Sequence, residues 1–246
     1  MFDGDDTLWF VEPLYDEARN EAAAIVAAAG LDASAWESLQ RRIDVQYVAS
    51  YGVSSKRFPA SCVEAYRRLA LRGAPVVSPS VETLVRDAAC RVFTRTAVPV
   101  SGVGRILDQV RGRFRTALLT KGEEAIQRKR IADAGLADAF DYVAIVPDKG
   151  PREFSDVLAA VGARAGSAWS VGNSLASDIN PALRIGMHAI WIDAPVWEYE
   201  RRDARAAGGN VISAPDLPTA ARILLRGGAG APVAGTVDAS GPGYGR

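Results

Sequence analysis

Short apolar runs alternate with helical segments through the second half of the chain, and this alternation constrains the fold more than any other feature. Four β-type runs lie after residue 114, at 115–120, 142–146, 169–171 and 188–192. Helical segments precede or follow them at 103–111, 122–134, 151–161 and 178–185. Because strands joined through helices form parallel sheets with right-handed crossovers, the pattern predicts a doubly wound parallel α/β sheet.

The first half of the chain has a different character, with helical periodicity and no convincing strand. Four helices are predicted, at 13–30, 34–48, 59–72 and 79–93. We therefore expect an α/β core formed by residues 1–12 and 96–225, with a small all-helical domain at 13–95. Residues 226–246 are mostly Gly, Ala, Pro and Ser and carry little bulk, so we predict a flexible tail.

Composition and charge exclude several functional classes. The chain has 29 basic and 29 acidic residues, so no net field favours binding to nucleic acid or an anionic membrane. No apolar stretch is long enough to span a bilayer, and the acidic N-terminus has no apolar signal segment. Cys62 and Cys90 form no CxxC pair, which favours a reducing compartment, and we predict a cytoplasmic protein.

Polar residues follow the predicted strands at the points where they end. In open α/β sheets the ligand binds beyond the carboxyl ends of the strands, so these side chains are expected to share one edge. Carboxylates, a hydroxyl, an ammonium and an amide together suit phosphoryl transfer with a divalent cation. The candidate residues are Asp3, Asp5, Thr120, Lys121, Lys149, Asn173 and Asp178.

The residue types indicate individual roles. Asp3 can give one oxygen to a metal and attack phosphorus with the other, forming an aspartyl phosphate. Asp5 lies two residues further on and can protonate the leaving oxygen, then activate water. Thr120 and Lys149 can hold the transferring oxygens. Lys121 is interpreted as a loop residue with a possible contact to the substrate phosphate.

Four segments resemble, in order and spacing, the motifs of the haloacid dehalogenase-like superfamily: FDGDDTLW, LLTKG, DKGPREF and VGNSLASDINPALRIGM. The resemblance covers roughly residues 1–225. It implies the same roles for these residues: nucleophile, general acid/base, phosphate-binding hydroxyl and stabilising cation for Asp3, Asp5, Thr120 and Lys149, respectively. It also implies that residues 13–95 are a cap that selects substrate. It also implies Mg²⁺ bound by Asp3, Asp5, Asn173 and Asp178.

Asp5 separates two branches of this superfamily. The dehalogenase branch lacks a carboxylate at this position because a halide leaves without a proton, whereas an alkoxide leaving phosphorus needs one. The predicted activity is therefore a magnesium-dependent phosphatase that hydrolyses a small phosphorylated metabolite.

Two departures from the family pattern leave alternatives open. Asn173 replaces a usual aspartate, so the metal site loses one negative charge. Only Met1 and Phe2 precede Asp3, where relatives carry four or five apolar residues, and we predict that the true start lies upstream. A catalytically weak or silent protein that binds a phosphorylated ligand or partner is one alternative. A phosphotransferase or dehalogenase on the same fold is another.

Lys56 and Arg57 form a basic pair in a predicted turn of the helical region. They could contact an anionic substrate, but a solvated loop is the favoured interpretation.

Overall fold

The computed structural model describes residues 1–73, 77–203, 206 and 211–227. The chain divides into two compact units: residues 11–96 form one, and residues 1–10 together with 97–246 form the other. None of the described helices is long and apolar enough to cross a membrane.

The unit formed by residues 11–96 is helical. Its helices are α1 (Glu12–Ala28), α2 (Ala33–Gln46), α3 (Val48–Tyr51), α4 (Arg57–Gly73) and α5 (Pro79–Cys90), followed by a 3₁₀ turn at Arg91–Phe93. Asp32 caps α2, because its carboxylate accepts hydrogen bonds from the backbone N–H groups of Ser34 and Ala35 at 2.9 and 3.0 Å. The apolar faces of α1, α2, α4 and α5 share one core that includes Trp36, Phe58 and Tyr66.

The favoured interpretation of Arg57 as a solvated loop residue is wrong. Arg57 begins α4, is buried, and donates a hydrogen bond through its guanidinium to the Asp44 carboxylate. The Ser61 hydroxyl donates to the other oxygen of that carboxylate at 3.1 Å. Since a buried charge is costly unless it is paired and hydrogen-bonded, Arg57 is a structural partner within the helical unit.

The other unit is an α/β sandwich, which confirms the predicted fold class. Strand β3 (Ala117–Lys121) pairs in parallel with β4 (Tyr142–Val146), and β5 (Trp169–Gly172) pairs in parallel with β6 (His188–Ile192), which pairs with β7 (Val211–Ala214). A two-residue antiparallel pair, β1 (Trp9–Phe10) and β2 (Val98–Pro99), lies outside this sheet. The helices are α6 (Val103–Arg111), α7 (Glu124–Asp133), α8 (Pro151–Ala160), α9 (Asn180–Arg184) and α10 (Leu217–Gly227).

Strand β7 and helix α10 were not predicted. Helix α10 includes Arg226 and Gly227, the first two residues of the predicted tail. The rest of that tail, 228–246, lies outside the described residues.

Residues 1–3 join the two halves of the sheet. Phe2 forms parallel bridges to Leu118 of β3 and Val171 of β5, so the strand order is β4, β3, residues 1–3, β5, β6, β7. The N–H of Phe2 donates to Ala117 O at 2.8 Å, and the N–H of Asp3 donates to Val171 O at 2.9 Å. Three residues are thus enough to connect the sheet. The upstream start is not tested by these contacts and stays a prediction.

The Met1 amino group lies inside this sheet and donates a hydrogen bond to Trp169 O at 2.8 Å. Burial lowers its pKa to about 5, because an ammonium there is poorly solvated. The register of residues 1–3 places Asp3 at the carboxyl edge, beside the ends of β3 and β5.

Candidate active site

Asp3, Lys149 and Asp178 form a buried cluster at the carboxyl edge of the sheet. The Lys149 ammonium donates hydrogen bonds to Asp3 Oδ1 and, at 2.7 Å, to Asp178 Oδ1. The second oxygen of Asp3 accepts a hydrogen bond from the Thr7 hydroxyl at 3.1 Å. Two carboxylates therefore share one ammonium, and the ionised cluster carries one net negative charge. The sequence predicted these three residues as site residues, and the structure brings them together.

Burial and mutual repulsion set the protonation of this cluster. Burial raises the pKa of Asp3 to about 7, and the Asp178 charge adds to this rise, although the Lys149 ammonium opposes it. For Lys149, burial alone would lower the pKa, but the two carboxylates outweigh that effect and raise it. Lys149 is therefore a cation, and a second cation at the cluster would favour the ionised form of Asp3.

The chain after β5 places Asp178 by a close approach to Gly172. A Cβ on Gly172 would lie 2.4 Å from the Asp178 carboxyl group, so only glycine fits there. The Ser174 N–H donates to Asp178 Oδ2 at 2.9 Å, and residues Leu175–Ile179 form a single π-helical turn before α9. The predicted helix at 178–185 thus begins earlier than expected, with a π turn of the kind common at functional sites.

Asn173 directly follows β5, and its side chain is oriented by a backbone contact. Its Nδ2 donates to Pro195 O at 3.1 Å, and the Trp191 indole donates to the Asn173 backbone oxygen at 2.9 Å. Because the amide nitrogen is engaged, Oδ1 is the atom of Asn173 that can serve as a metal ligand.

The Thr120 hydroxyl is buried and has no hydrogen-bond partner within the structure described. It lies against the turn that carries the two candidate catalytic aspartates: a Cβ on Gly4 would be 3.0 Å from Thr120 Oγ1 and 2.5 Å from the Trp9 ring. An unpaired buried hydroxyl costs about 1–3 kcal/mol in proteins. A hydroxyl kept at such a cost, at the turn between Asp3 and Asp5, indicates a binding site for an oxygen-rich ligand.

Replacing Thr120 with valine should separate stability from function. Valine has a similar shape and no hydroxyl, so we expect the folded state to gain up to about 1 kcal/mol while phosphate-ester turnover falls at least about tenfold. Thr116→Val is the matched control, because the buried Thr116 hydroxyl is satisfied by Ala139 O and Asp141. Urea denaturation should show that control losing stability. A destabilised Thr120→Val protein would mean that its hydroxyl is already paired.

Asp5 makes its side-chain hydrogen bonds with Trp9 and with helix α7. Its Oδ1 accepts a hydrogen bond from the Trp9 indole at 2.7 Å. Its Oδ2 accepts from Gln127 Nε2 at 3.0 Å and from Arg130 Nη1 at 2.6 Å. Asp6 has φ of 58°, a left-handed conformation that aspartate tolerates and that turns the chain sharply after Asp5. Both oxygens of Asp5 thus have protein donors, and its predicted role as a metal ligand stays a prediction.

Lys121 belongs to a neighbouring cluster instead of the predicted phosphate site. Its ammonium donates to the Glu200 carboxylate and, at 3.0 Å, to the Ser177 hydroxyl. The Ser174 hydroxyl donates to Glu200 at 2.6 Å. The Lys121 ammonium is therefore already neutralised, which argues against a direct phosphate contact. Glu200 was missed by the sequence analysis because it lies in a 3₁₀ turn, Glu198–Arg202, with no motif of its own.

Glu200 should make the fold acid-sensitive. Burial alone would raise its pKa, but Lys121 and the two serine hydroxyls outweigh this and lower it to about 2, from 4.5. The group therefore stabilises the fold above pH 4.5, by about 3 kcal/mol at about 1.4 kcal/mol per pKa unit, and this contribution is lost as pH falls toward 2. We expect the melting-temperature advantage of wild type over Glu200→Gln to shrink between pH 5 and pH 3. The exposed Glu198→Gln control should show no such trend; a constant difference for Glu200→Gln would contradict the ion pair.

The donor set at the Asp3 cluster fits a hard divalent cation. Within the described ranges, no group of three or more His, Cys, Asp and Glu side chains could hold a metal ion. The predicted ligands Asp3, Asp178 and Asn173 offer two carboxylates and one amide oxygen. Mg²⁺ uses oxygen ligands and keeps several waters, so two or three protein oxygens are sufficient. The net negative charge of the cluster also favours a cation there.

The fold and this site define a hydrolase of the α/β class with a buried aspartate as candidate nucleophile. The family model for haloacid dehalogenase-like hydrolases matches residues 1–186. The chain therefore belongs to the haloacid dehalogenase-like hydrolase family, which confirms the resemblance inferred from the motifs.

Individual relatives divide between phosphatase and dehalogenase names. The chain is 37% identical to a phosphoserine phosphatase of Thermus thermophilus over 82 residues, which is 31% of this chain and about a third (33%) of that enzyme. A haloacid dehalogenase-like hydrolase from Xanthomonas campestris has the same fold with a TM-score of 0.75 and 23% identity, covering 92% and 91% of the two chains. The L-2-haloacid dehalogenase from Xanthobacter autotrophicus has a TM-score of 0.60 and 19% sequence identity, with 92% of this chain and 97% of that chain covered.

Proposed function

We propose that this protein is a magnesium-dependent phosphatase that hydrolyses a small phosphomonoester through a phosphoryl group carried on Asp3. The unpartnered Thr120 hydroxyl carries the proposal, because it is a buried donor against Gly4, the residue after Asp3, and has no hydrogen-bond partner among the described residues. Phosphate oxygens would accept from this hydroxyl and from the ammonium.

The residues of the cluster have defined tasks in this reaction. Thr7 and Lys149 each bind one oxygen of Asp3, which orients its carboxylate toward the phosphorus. Asp3 attacks phosphorus, the ester P–O bond breaks, and Asp5 gives its proton to the departing oxygen. Water then attacks the phosphoryl group, Asp5 takes a proton from that water, and the bond between Asp3 and phosphorus breaks. Asp3, Asp178 and Asn173 would hold Mg²⁺, which supplies charge neutralisation at the phosphate.

Phosphatase chemistry is favoured over dehalogenation for two reasons. Asp5 supplies a carboxyl group that a halide leaving group does not need. The relative with 37% identity over the matched segment is named a phosphoserine phosphatase, whereas the dehalogenase likeness, at 19% identity, concerns the fold alone. We propose a small phosphorylated metabolite as the substrate. We also propose the cytoplasm as its compartment, because Cys62 and Cys90 are free thiols.

The test is release of inorganic phosphate from p-nitrophenyl phosphate, phosphoserine, nucleoside monophosphates and sugar phosphates, with Mg²⁺ and with EDTA. We expect turnover that depends on Mg²⁺. Halide release from a 2-haloacid, measured in parallel, should be absent. Turnover of the haloacid alone would assign a dehalogenase. Ligand binding without turnover at any Mg²⁺ concentration would assign a silent phospholigand-binding protein.

A further inference from the structure

The two oxygens of Asp5 are used unequally. A carboxylate can accept about four hydrogen bonds, two on each oxygen. Oδ2 accepts two, from Gln127 and Arg130, whereas Oδ1 accepts one, from the Trp9 indole. Within the part of the chain that the structure describes, one acceptor position therefore stays open, and it is on Oδ1. The pair of donors on Oδ2 includes a guanidinium, and charge-assisted hydrogen bonds of this kind are the stronger ones.

We propose that Gln127 and Arg130 are positioning residues: they anchor Oδ2 of Asp5, so that Oδ1 is the oxygen that transfers protons. This proposal rests on the proposed phosphatase function. Neither residue touches the phosphoryl group in this scheme. In the first half-reaction the proton on Oδ1 moves to the departing ester oxygen, which keeps the electron pair of the broken P–O bond. In the second, Oδ1 receives a proton from the attacking water.

Both donors to Asp5 Oδ2 lie on helix α7. Gln127 and Arg130 are three residues apart, so they lie on the same face of the helix. Both are buried, and Arg130 is 7% exposed where it meets Asp5. The same Gln127 Nε2 donates to Lys121 O at 2.9 Å, which ties the start of α7 to the end of β3. The anchor on Asp5 is therefore part of the rigid frame of the sheet, so it can hold a carboxyl group in a fixed direction.

The test compares leaving groups across kcat/KM, which reports the steps up to departure of the alcohol. An alkyl phosphate needs a proton donor for its leaving oxygen, whereas p-nitrophenyl phosphate has a good leaving group and needs little help. We expect Arg130→Gln to lower kcat/KM about ten- to hundredfold for alkyl phosphates and less than about threefold for p-nitrophenyl phosphate. Arg130→Lys should recover part of the loss, since it keeps a cation.

Arg128→Gln is the matched control. Arg128 is on the same helix, is exposed, and pairs with Glu124 in the preceding turn. We expect all substrates to be turned over at wild-type rates by this variant. Equal losses for alkyl and aryl phosphates in Arg130→Gln would show a merely structural role and overturn the proposal, and so would no loss at all.

A second measurement keeps this proposal distinct from the phosphatase assignment. The melting temperatures of wild type, Asp5→Asn, Arg130→Gln and the double variant form a double-mutant cycle. This measurement does not depend on enzymatic activity. We expect non-additive shifts, with Arg130→Gln costing less once Asp5 is already changed. Additive shifts in melting temperature would contradict the proposed anchoring of Asp5 by Arg130, even if the enzyme is active. If wild type releases no phosphate and the shifts in melting temperature are non-additive, the phosphatase assignment and the proton-transfer role of Asp5 are refuted. The contact between Asp5 and Arg130 is then still supported.

Discussion

Replacing Asp3 with asparagine should lower phosphate release at least about a thousandfold and, at pH 8 without metal, make the fold more stable. The loss of activity follows because an amide has no nucleophilic carboxylate oxygen. The gain in stability follows from the raised pKa of Asp3, about 7 against an ordinary 3.8. The folded state then binds a proton more tightly than the unfolded state, so this group destabilises the fold progressively as pH rises from about 4 to about 7.

Asparagine removes that cost, because it is neutral at every pH and its Oδ1 can still accept from Lys149. Thermal denaturation in EDTA should show the melting temperature of Asp3→Asn exceeding wild type by more at pH 8 than at pH 5. Asp156→Asn, an exposed substitution on α8, is the control. It should leave activity unchanged, and its melting temperature should differ from that of wild type by the same amount at pH 5 and pH 8. Full activity in Asp3→Asn would refute Asp3 as the nucleophile, and a pH-independent difference would refute the raised pKa that burial, and after it the Asp178 charge, give Asp3.

Replacing Lys149 with methionine should destabilise the metal-free core by about 3–5 kcal/mol, the usual cost of leaving a buried charge without its partner. Asp3 and Asp178 would then face each other without the ammonium that bridges them. Phosphate release should also fall at least about a hundredfold, since the cation facing the transferring oxygens is lost.

Magnesium makes this prediction more specific. A divalent cation at the cluster would offset the two unpaired carboxylates, so added Mg²⁺ should raise the urea midpoint of Lys149→Met by more than it raises that of wild type. Lys129→Met is the matched control: Lys129 is a half-exposed lysine of α7 that pairs with Asp133, and the substitution should cost less than about 1 kcal/mol. Equal responses of Lys149→Met and wild type to Mg²⁺ would contradict a metal site formed by Asp3 and Asp178.

Elements with a strong local pattern were predictable from the sequence. The predicted helix at Val103–Arg111 and the predicted strands at Tyr142–Val146 and His188–Ile192 agree with the structure to the residue. Strand β7 was missed because its four residues follow a stretch rich in Gly and Ala, and α10 because Pro218 and the adjoining Gly-rich tail obscure its period. The pair β1–β2 is only two residues long on each side, which is too short to give an alternation.

The sequence by itself determined the family, the fold class and the kinds of chemical groups at the carboxyl edge, because motif order and strand periodicity are local properties of the chain. Only the tertiary structure decided which groups meet. Lys121 pairs with Glu200, 79 residues away, and Asp5 pairs with Arg130, 125 residues away. Such partners depend on how β3, β5 and α7 are placed side by side, and no local pattern encodes that placement. Tertiary packing therefore assigned Lys121 to an ion pair and left the buried Thr120 hydroxyl without a partner among the described residues.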